Sequence, residues 1–154
     1  MPEAGLHAVP AGHTASVVTH LEMRAEAPPR PAPDLSLDLW RLGSPDIDRY
    51  LRLFRAVGRD WLWFERLAMA RTDLAALLAD PATHIHVLMD GKAAAGLLEL
   101  DFRQPGACEL AYFGLVPGAV GQGAGRWLMN HAIRLAWAGN IRLFHVHTCT
   151  LDHP

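Results

Sequence analysis

Glu109 to Asn140 is the stretch that most limits what this chain can fold into. Glu109–Val116 carries Leu110, Tyr112, Phe113, Leu115 and Val116, the composition of a buried strand, and Pro117 ends its hydrogen-bond ladder. Four glycines then fall within Gly118–Gly125. From Ala124 the residues Ala124, Leu128, His131/Ala132 and Leu135 recur at helical spacing, and Gly139-Asn140 closes the helix. The segment therefore reads strand, glycine-rich turn, helix. Glycines at 121, 123 and 125 put no Cβ between the backbone N–H groups and whatever sits at the helix mouth. The first turn of a helix holds donors without intrahelical partners, and its dipole favours negative charge. Such a turn suits a pyrophosphate.

Several chemistries use a turn of this kind. A P-loop needs Gly-Lys-Ser/Thr, and Gly125-Arg126-Trp127 does not supply it. A dinucleotide fingerprint calls for an early βαβ unit with an acidic residue ending its second strand; here the motif lies late, and the next strand ends in His145-Val146-His147. LVPGAVGQGAGRWLM instead resembles motif A of the GNAT superfamily of acetyl-CoA-dependent N-acyltransferases. In that family a strand ending in hydrophobic-x-Pro leads into Gln/Arg-x-x-Gly-x-Gly/Ala and a helix. Gly123 and Gly125 match the two small positions, and Val120 stands where the family has Gln or Arg. The resemblance implies that Val120, Gly121, Gln122, Gly123, Ala124, Gly125 and Arg126 hold the pyrophosphate of acetyl-CoA. It also implies that backbone N–H groups near Leu115 and Val116 meet the pantetheine arm and the acyl carbonyl, where the fourth strand of that fold splays from the fifth. Gly114 would ease a bulge there.

The remainder of the chain narrows the class. Its 154 residues, half of them apolar, suit one core. A net charge of −2 argues against a general nucleic-acid binder. Cys108 and Cys149 are too few for a disulfide framework, no apolar run reaches membrane-spanning length, and the first residues lack the pattern of a secretory leader. These features read as cytoplasmic.

In chain order, Ser16–Met23 is a short strand, and APPRPAP (Ala27–Pro33) is an extended connector that divides an N-terminal segment, 1–33, from the main domain, 34–154. Leu35–Leu42 alternates as a strand. Ser44 as N-cap, Pro45, and Asp46 and Asp48 in the first turn start a helix whose apolar stripe is Ile47, Tyr50, Leu51, Phe54 and Val57. WLWFERL follows, and Thr72-Asp73 caps a second helix carrying Leu74, Leu77 and Leu78. His84–Met89, Lys92–Asp101 and Cys108–Val116 form a meander, and Arg142–His147 is a further strand beyond the long helix. The expected fold is α+β: a mixed, mostly antiparallel sheet flanked by helices, with one parallel pair at the helical crossover.

Acyl transfer to an amine needs the neutral amine, so a carboxylate that takes its proton, directly or through an intermediary, is required. The resemblance favours Glu109, which matches the catalytic glutamate of some family members; Glu99 on the neighbouring strand is the rival. Strict alternation would place Glu109 and Tyr112 on opposite faces unless a bulge intervenes. Trp61, Trp63 and Phe64 are candidates to line the acceptor pocket, with core packing the competing role. His84-x-His86 and His145-x-His147 suggest metal, but two strands separate them, and no metal is expected. His147, Cys149 and Asp152 lie too close along one strand end for a nucleophilic triad.

In the family, the strand equivalent to Arg142–His147 precedes a helix and two further strands, one of which often supplies a tyrosine that protonates the thiolate. HTCTLDHP provides none of these. The expectation is thus an acetyl-CoA-dependent N-acetyltransferase acting on a small-molecule or peptide amine, apparently lacking that C-terminal helix and the last strands. The alternative is a non-catalytic CoA-binding or partner-binding module. The last strand would be left with an open edge, which predicts a homo-oligomer unless Ser16–Met23 covers it.

Overall fold

The computed structural model describes residues 5–43 and 46–153. The meander predicted from its turns is present: β3 (Thr83–Asp90), β4 (Ala93–Asp101) and β5 (Ala107–Leu115) pair antiparallel in sequence, and β2 (Leu37–Leu42) adds antiparallel to β3. The 14-residue helix α4 (Ala124–Trp137) crosses over and returns the chain as β6 (Leu143–Cys149), which runs parallel to β5. The fold is α+β, a mostly antiparallel open sheet with a single parallel pair.

The N-terminal segment belongs to the same sheet. β1 (Val18–Met23) pairs antiparallel with the far side of β6 along all six of its residues, from Val18↔Cys149 to Met23↔Phe144. The strand order is β1-β6-β5-β4-β3-β2. β6 therefore has no open edge: the strand within Ser16–Met23, the internal candidate for that cover, supplies it, and the ground given for a homo-oligomer is removed. From β1 the proline-rich connector crosses α4: the Asn130 side chain donates to the Arg30 carbonyl at 2.8 Å and accepts from the Arg30 N–H at 3.1 Å.

Two cores lie on the two faces of the sheet. Leu98, Leu100, Cys108, Leu110 and Phe144 pack under α4 through Leu128, Ala132 and Ala136. On the other face Ile85 and Leu97 meet Tyr50, Phe54 and Val57 of α1 (Ile47–Gly58) and Leu74 and Leu78 of α3 (Arg71–Ala79). α2 (Glu65–Ala68) is a single turn between them. Ser44 and Pro45 lie outside the described residues; Asp46 caps α1, its carboxylate accepting from the N–H groups of Asp48 and Arg49. α3 starts one residue before the expected Thr72-Asp73 cap, at Arg71, with Ala70 in the cap position and no side chain bonded to its first turn. Among the described residues no helix is long and apolar enough to cross a membrane.

Candidate active site

The parallel ladder between β5 and β6 is short. It runs from Ala107↔Leu143 to Glu109↔His145 and stops, while β5 continues to Leu115 and β6 turns to β1. The two strands thus open a wedge with Glu109 and His145 at its vertex. At about 3.3 Å per residue, the six steps from Glu109 to Leu115 make it about 20 Å deep. Its mouth lies at the glycine turn.

Which N–H groups face the wedge follows from alternation along β5. The Val116 N–H donates to the Ala95 carbonyl at 2.9 Å, toward β4, so it is not available to a ligand; this corrects the expectation for Val116. Leu115, one residue earlier, directs its N–H to the opposite side, toward the wedge. The bulge sits lower than Gly114. The β4–β5 register passes from Glu99↔Tyr112 to Leu100↔Leu110 and leaves Ala111 unpaired. Because of this extra residue, Glu109 and Tyr112 share the face that α1 covers. Gly114 instead makes room for the α1 side of the core, since a Cβ there would lie 2.4 Å from Val57 Cγ1 and 3.2 Å from the Trp63 ring.

At the mouth, Pro117–Ala119 forms a 3-10 turn, and Gly121 and Gly123 take φ of +84° and +86°, a region that favours glycine. Gly123 is the N-cap of α4, so no side chain caps the free N–H groups of Ala124, Gly125 and Arg126. Gln122 braces the turn by donating to the Gly118 carbonyl at 3.1 Å. Val120 is exposed, and nothing lies within 4 Å of a Cβ built on Gly121. Gly123 differs: the space of its Cβ belongs to Pro33 of the connector, whose Cγ would be 2.4 Å away. At Gly125 a Cβ would meet only Leu115 Cδ1, at 3.8 Å, an ordinary van der Waals contact.

The two candidate carboxylates occupy opposite environments. The Glu99 side chain is 1% exposed; it accepts from the Tyr50 hydroxyl at 2.8 Å and from the Arg66 guanidinium at 2.5 Å. Burial, then the Glu99 charge, pushes the Tyr50 hydroxyl far above its usual range. Burial draws the Arg66 pKa down, but the adjacent Glu99 carboxylate more than offsets it, and Arg66 is held charged. Neither Tyr50 nor Arg66 was singled out from sequence as a partner for a carboxylate. The Glu99 charge is thereby balanced and closed to solvent. Glu109, at the wedge vertex, keeps 31% of its side chain exposed and accepts from His147 Nδ1 at 3.1 Å. It borders a cavity of about 190 Å³ with Asp101, Arg103, Gln104 and His145.

The aromatic candidates divide. Trp63 packs with Phe54 and Tyr112, ring centroids 5.3 and 5.0 Å away, and also fills the space left by Gly58 and Gly114, so it is a core residue. Trp61 meets the His153 ring at 5.0 Å, and Phe64 is exposed at the start of α2. The His84/His86 pair faces α4, whereas His145 and His147 face the other side, and no metal-binding group of three or more exists among the described residues. Asp152 accepts from Thr148 and the Cys149 N–H, so it closes the turn after β6 instead of serving a cysteine.

Comparison with known proteins agrees with this geometry. A search of curated proteins found none that matches. Among solved structures, an aminoglycoside acetyltransferase from an uncultured soil metagenomic sample aligns with a TM-score of 0.61 at 16% identity, over 75% of this chain and 80% of its own. An aminoglycoside N-acetyltransferase in complex with CoA gives 0.56 at 15% identity, over 79% and 81%. A GNAT family acetyltransferase from Streptococcus pneumoniae gives 0.53 at 18%, over 73% and 75%. At such identities the likeness speaks for the fold alone. The family model described as "Acetyltransferase (GNAT) family" matches residues 49–154, from α1 through the wedge and the glycine turn. The chain belongs to the GNAT acetyltransferase family.

Proposed function

We propose that the protein transfers an acetyl group from acetyl-CoA to a primary amine of a small molecule. The observation that carries this reading is the wedge between β5 and β6, with the uncapped N-terminus of α4 at its mouth and the partly exposed carboxylate of Glu109 at its vertex. The pyrophosphate meets the N–H groups of Gly121–Arg126, the pantetheine arm runs down the wedge past the Leu115 N–H, and the thioester reaches the vertex. An incoming ammonium loses a proton, directly or through an intermediary, to Glu109. The neutral nitrogen then attacks the carbonyl carbon, the C–N bond forms, and CoA leaves with the sulfur. No covalent enzyme intermediate is needed.

A small acceptor is supported by the structural relatives, two of which are aminoglycoside acetyltransferases. The same face of the sheet offers polar side chains, Glu109, His145 and His147. The test is a screen of primary amines, aminoglycosides and polyamines included, for acetyl-CoA-dependent thiol release. Acetyl-CoA binding with no release for any amine would leave a CoA-binding module. Failure to bind acetyl-CoA would refute the reading.

A further inference from the structure

The side chain hydrogen-bonded to Glu109 on the wedge face is His147. The parallel register sets Glu109 beside His145, and His147 is the next residue of β6 on the same face, one step toward the open end. Its Nδ1 lies 3.1 Å from Glu109 Oε1. A carboxylate only accepts, so with a neutral ring the shared proton resides on Nδ1 and Nε2 is left as an acceptor. Nε2 makes no hydrogen bond to the described residues, and 53% of the side chain is exposed. The other groups around the ring are His20 on β1, whose ring centroid is 6.0 Å away, and His145 on the same strand. Asp101 and Arg103, further round the cavity, are paired with each other, and Glu22 on β1 is paired with Arg24. Among the described residues, Glu109 is thus the only carboxylate bonded to His147.

We propose that His147 is the catalytic residue that takes the amine proton, with Glu109 as the residue that positions it. This rests on the acetyl-transfer reading and moves the proton's acceptor from Glu109 to His147. The acceptor ammonium gives a proton to Nε2; the resulting imidazolium is held by the Glu109 carboxylate through Nδ1–H. The neutral amine attacks the thioester carbon, the C–S bond breaks, and the thiolate takes the second proton from the new amide nitrogen. The imidazolium returns its proton to solvent. An imidazole suits this step because Nε2 takes the proton while Nδ1–H stays held by the Glu109 carboxylate. β1 brackets the pair, since His20 lies directly across from His147.

The pair can be read without turnover. In long-range ¹H–¹⁵N spectra of the full chain above pH 7.5, His147 should carry its proton on Nδ1, and Glu109→Ala should move it to Nε2, the form preferred by free imidazole. Wild-type protein with the proton on Nε2 overturns the proposal. In the kinetic arm, His147→Gln should lower kcat by about 10²–10⁴-fold with the best amine of the screen and abolish the acid limb of the kcat profile, while acetyl-CoA affinity stays unchanged. Wild-type kcat and an intact acid limb in His147→Gln, beside a large loss in Glu109→Gln, would overturn the relay and leave acetyl transfer with Glu109 acting alone. Failure of the underlying reading shows differently, as wild-type protein that does not bind acetyl-CoA.

Discussion

Replacing Glu99 by Gln separates the two carboxylates that the sequence offers as the base, Glu109 first and Glu99 as its rival. Glu99 lies in the central strand β4 with its side chain 1% exposed, and its partner Arg66 is 13% exposed. The new amide could still accept from the Tyr50 hydroxyl, but Arg66 would be left charged and largely enclosed, with its Nε already lacking a partner. Removing one member of a buried ion pair costs about 3–5 kcal/mol, and the retained Tyr50 bond points to the lower end, about 3 kcal/mol. With a urea slope of about 2 kcal/mol/M for a chain of this size, the unfolding midpoint should fall by about 1.5 M. The loss is structural: α1 and α2 are tied to β4 through Tyr50 and Arg66. Turnover per folded molecule, and its pH profile, should therefore change little below the new midpoint. An unchanged midpoint together with a lost kcat would refute the reasoning and make Glu99 the base.

Glu109→Gln should keep acetyl-CoA affinity and lower kcat by about 10²-fold or more, with part of the loss recovered at alkaline pH, where more amine is already neutral; a pH series of initial rates checks this. His86 is 4% exposed with Nδ1 unpartnered, and burial, then the charges of His84 and Arg41, lowers its pKa from 6.5 to about 4. The stability tied to its neutral form is present above pH 6.5 and is lost as pH falls from 6.5 to 4, by about 3 kcal/mol in all. His86→Leu should flatten the pH dependence of the urea midpoint across that window, and an unaltered slope would contradict the assignment. Gly123→Ala should cost about 1–3 kcal/mol, because the residue must hold a positive φ and its methyl group meets Pro33. Thermal unfolding of that variant beside Gly125→Ala, where the space is open and the backbone helical, measures the difference.

The frame of the site was legible because its signals are local. Apolar spacing marked β5 and α4, and the glycines between them marked a turn that needs positive φ at 121 and 123. What sequence missed depends on distant partners. The bulge falls at Ala111, which carries no glycine or proline to mark it, and it alone brings Glu109 and Tyr112 to one face. The seal on β6 comes from β1, which the sequence offered as a candidate, but its register with β6 is set by contacts between the two ends of the chain. The Glu99 environment had a partial signal, a carboxylate inside the apolar run LLEL, but its partners Tyr50 and Arg66 emerge only when α1 and α2 fold over the sheet. Likewise His147 meets Glu109 through a parallel register that no spacing along the chain encodes.

The central claim, that acetyl-CoA enters the wedge between β5 and β6 from the glycine turn, is tested most directly by following backbone amide resonances during titration with acetyl-CoA. The account predicts the largest shifts at Gly121–Arg126 and Leu115, with smaller ones at Glu109 and His145, and little change at Val116, whose N–H is already bonded to Ala95. Shifts centred instead on the cavity of about 270 Å³ under α1, at Arg49, Leu53 and Leu97, with the glycine turn undisturbed, would contradict it.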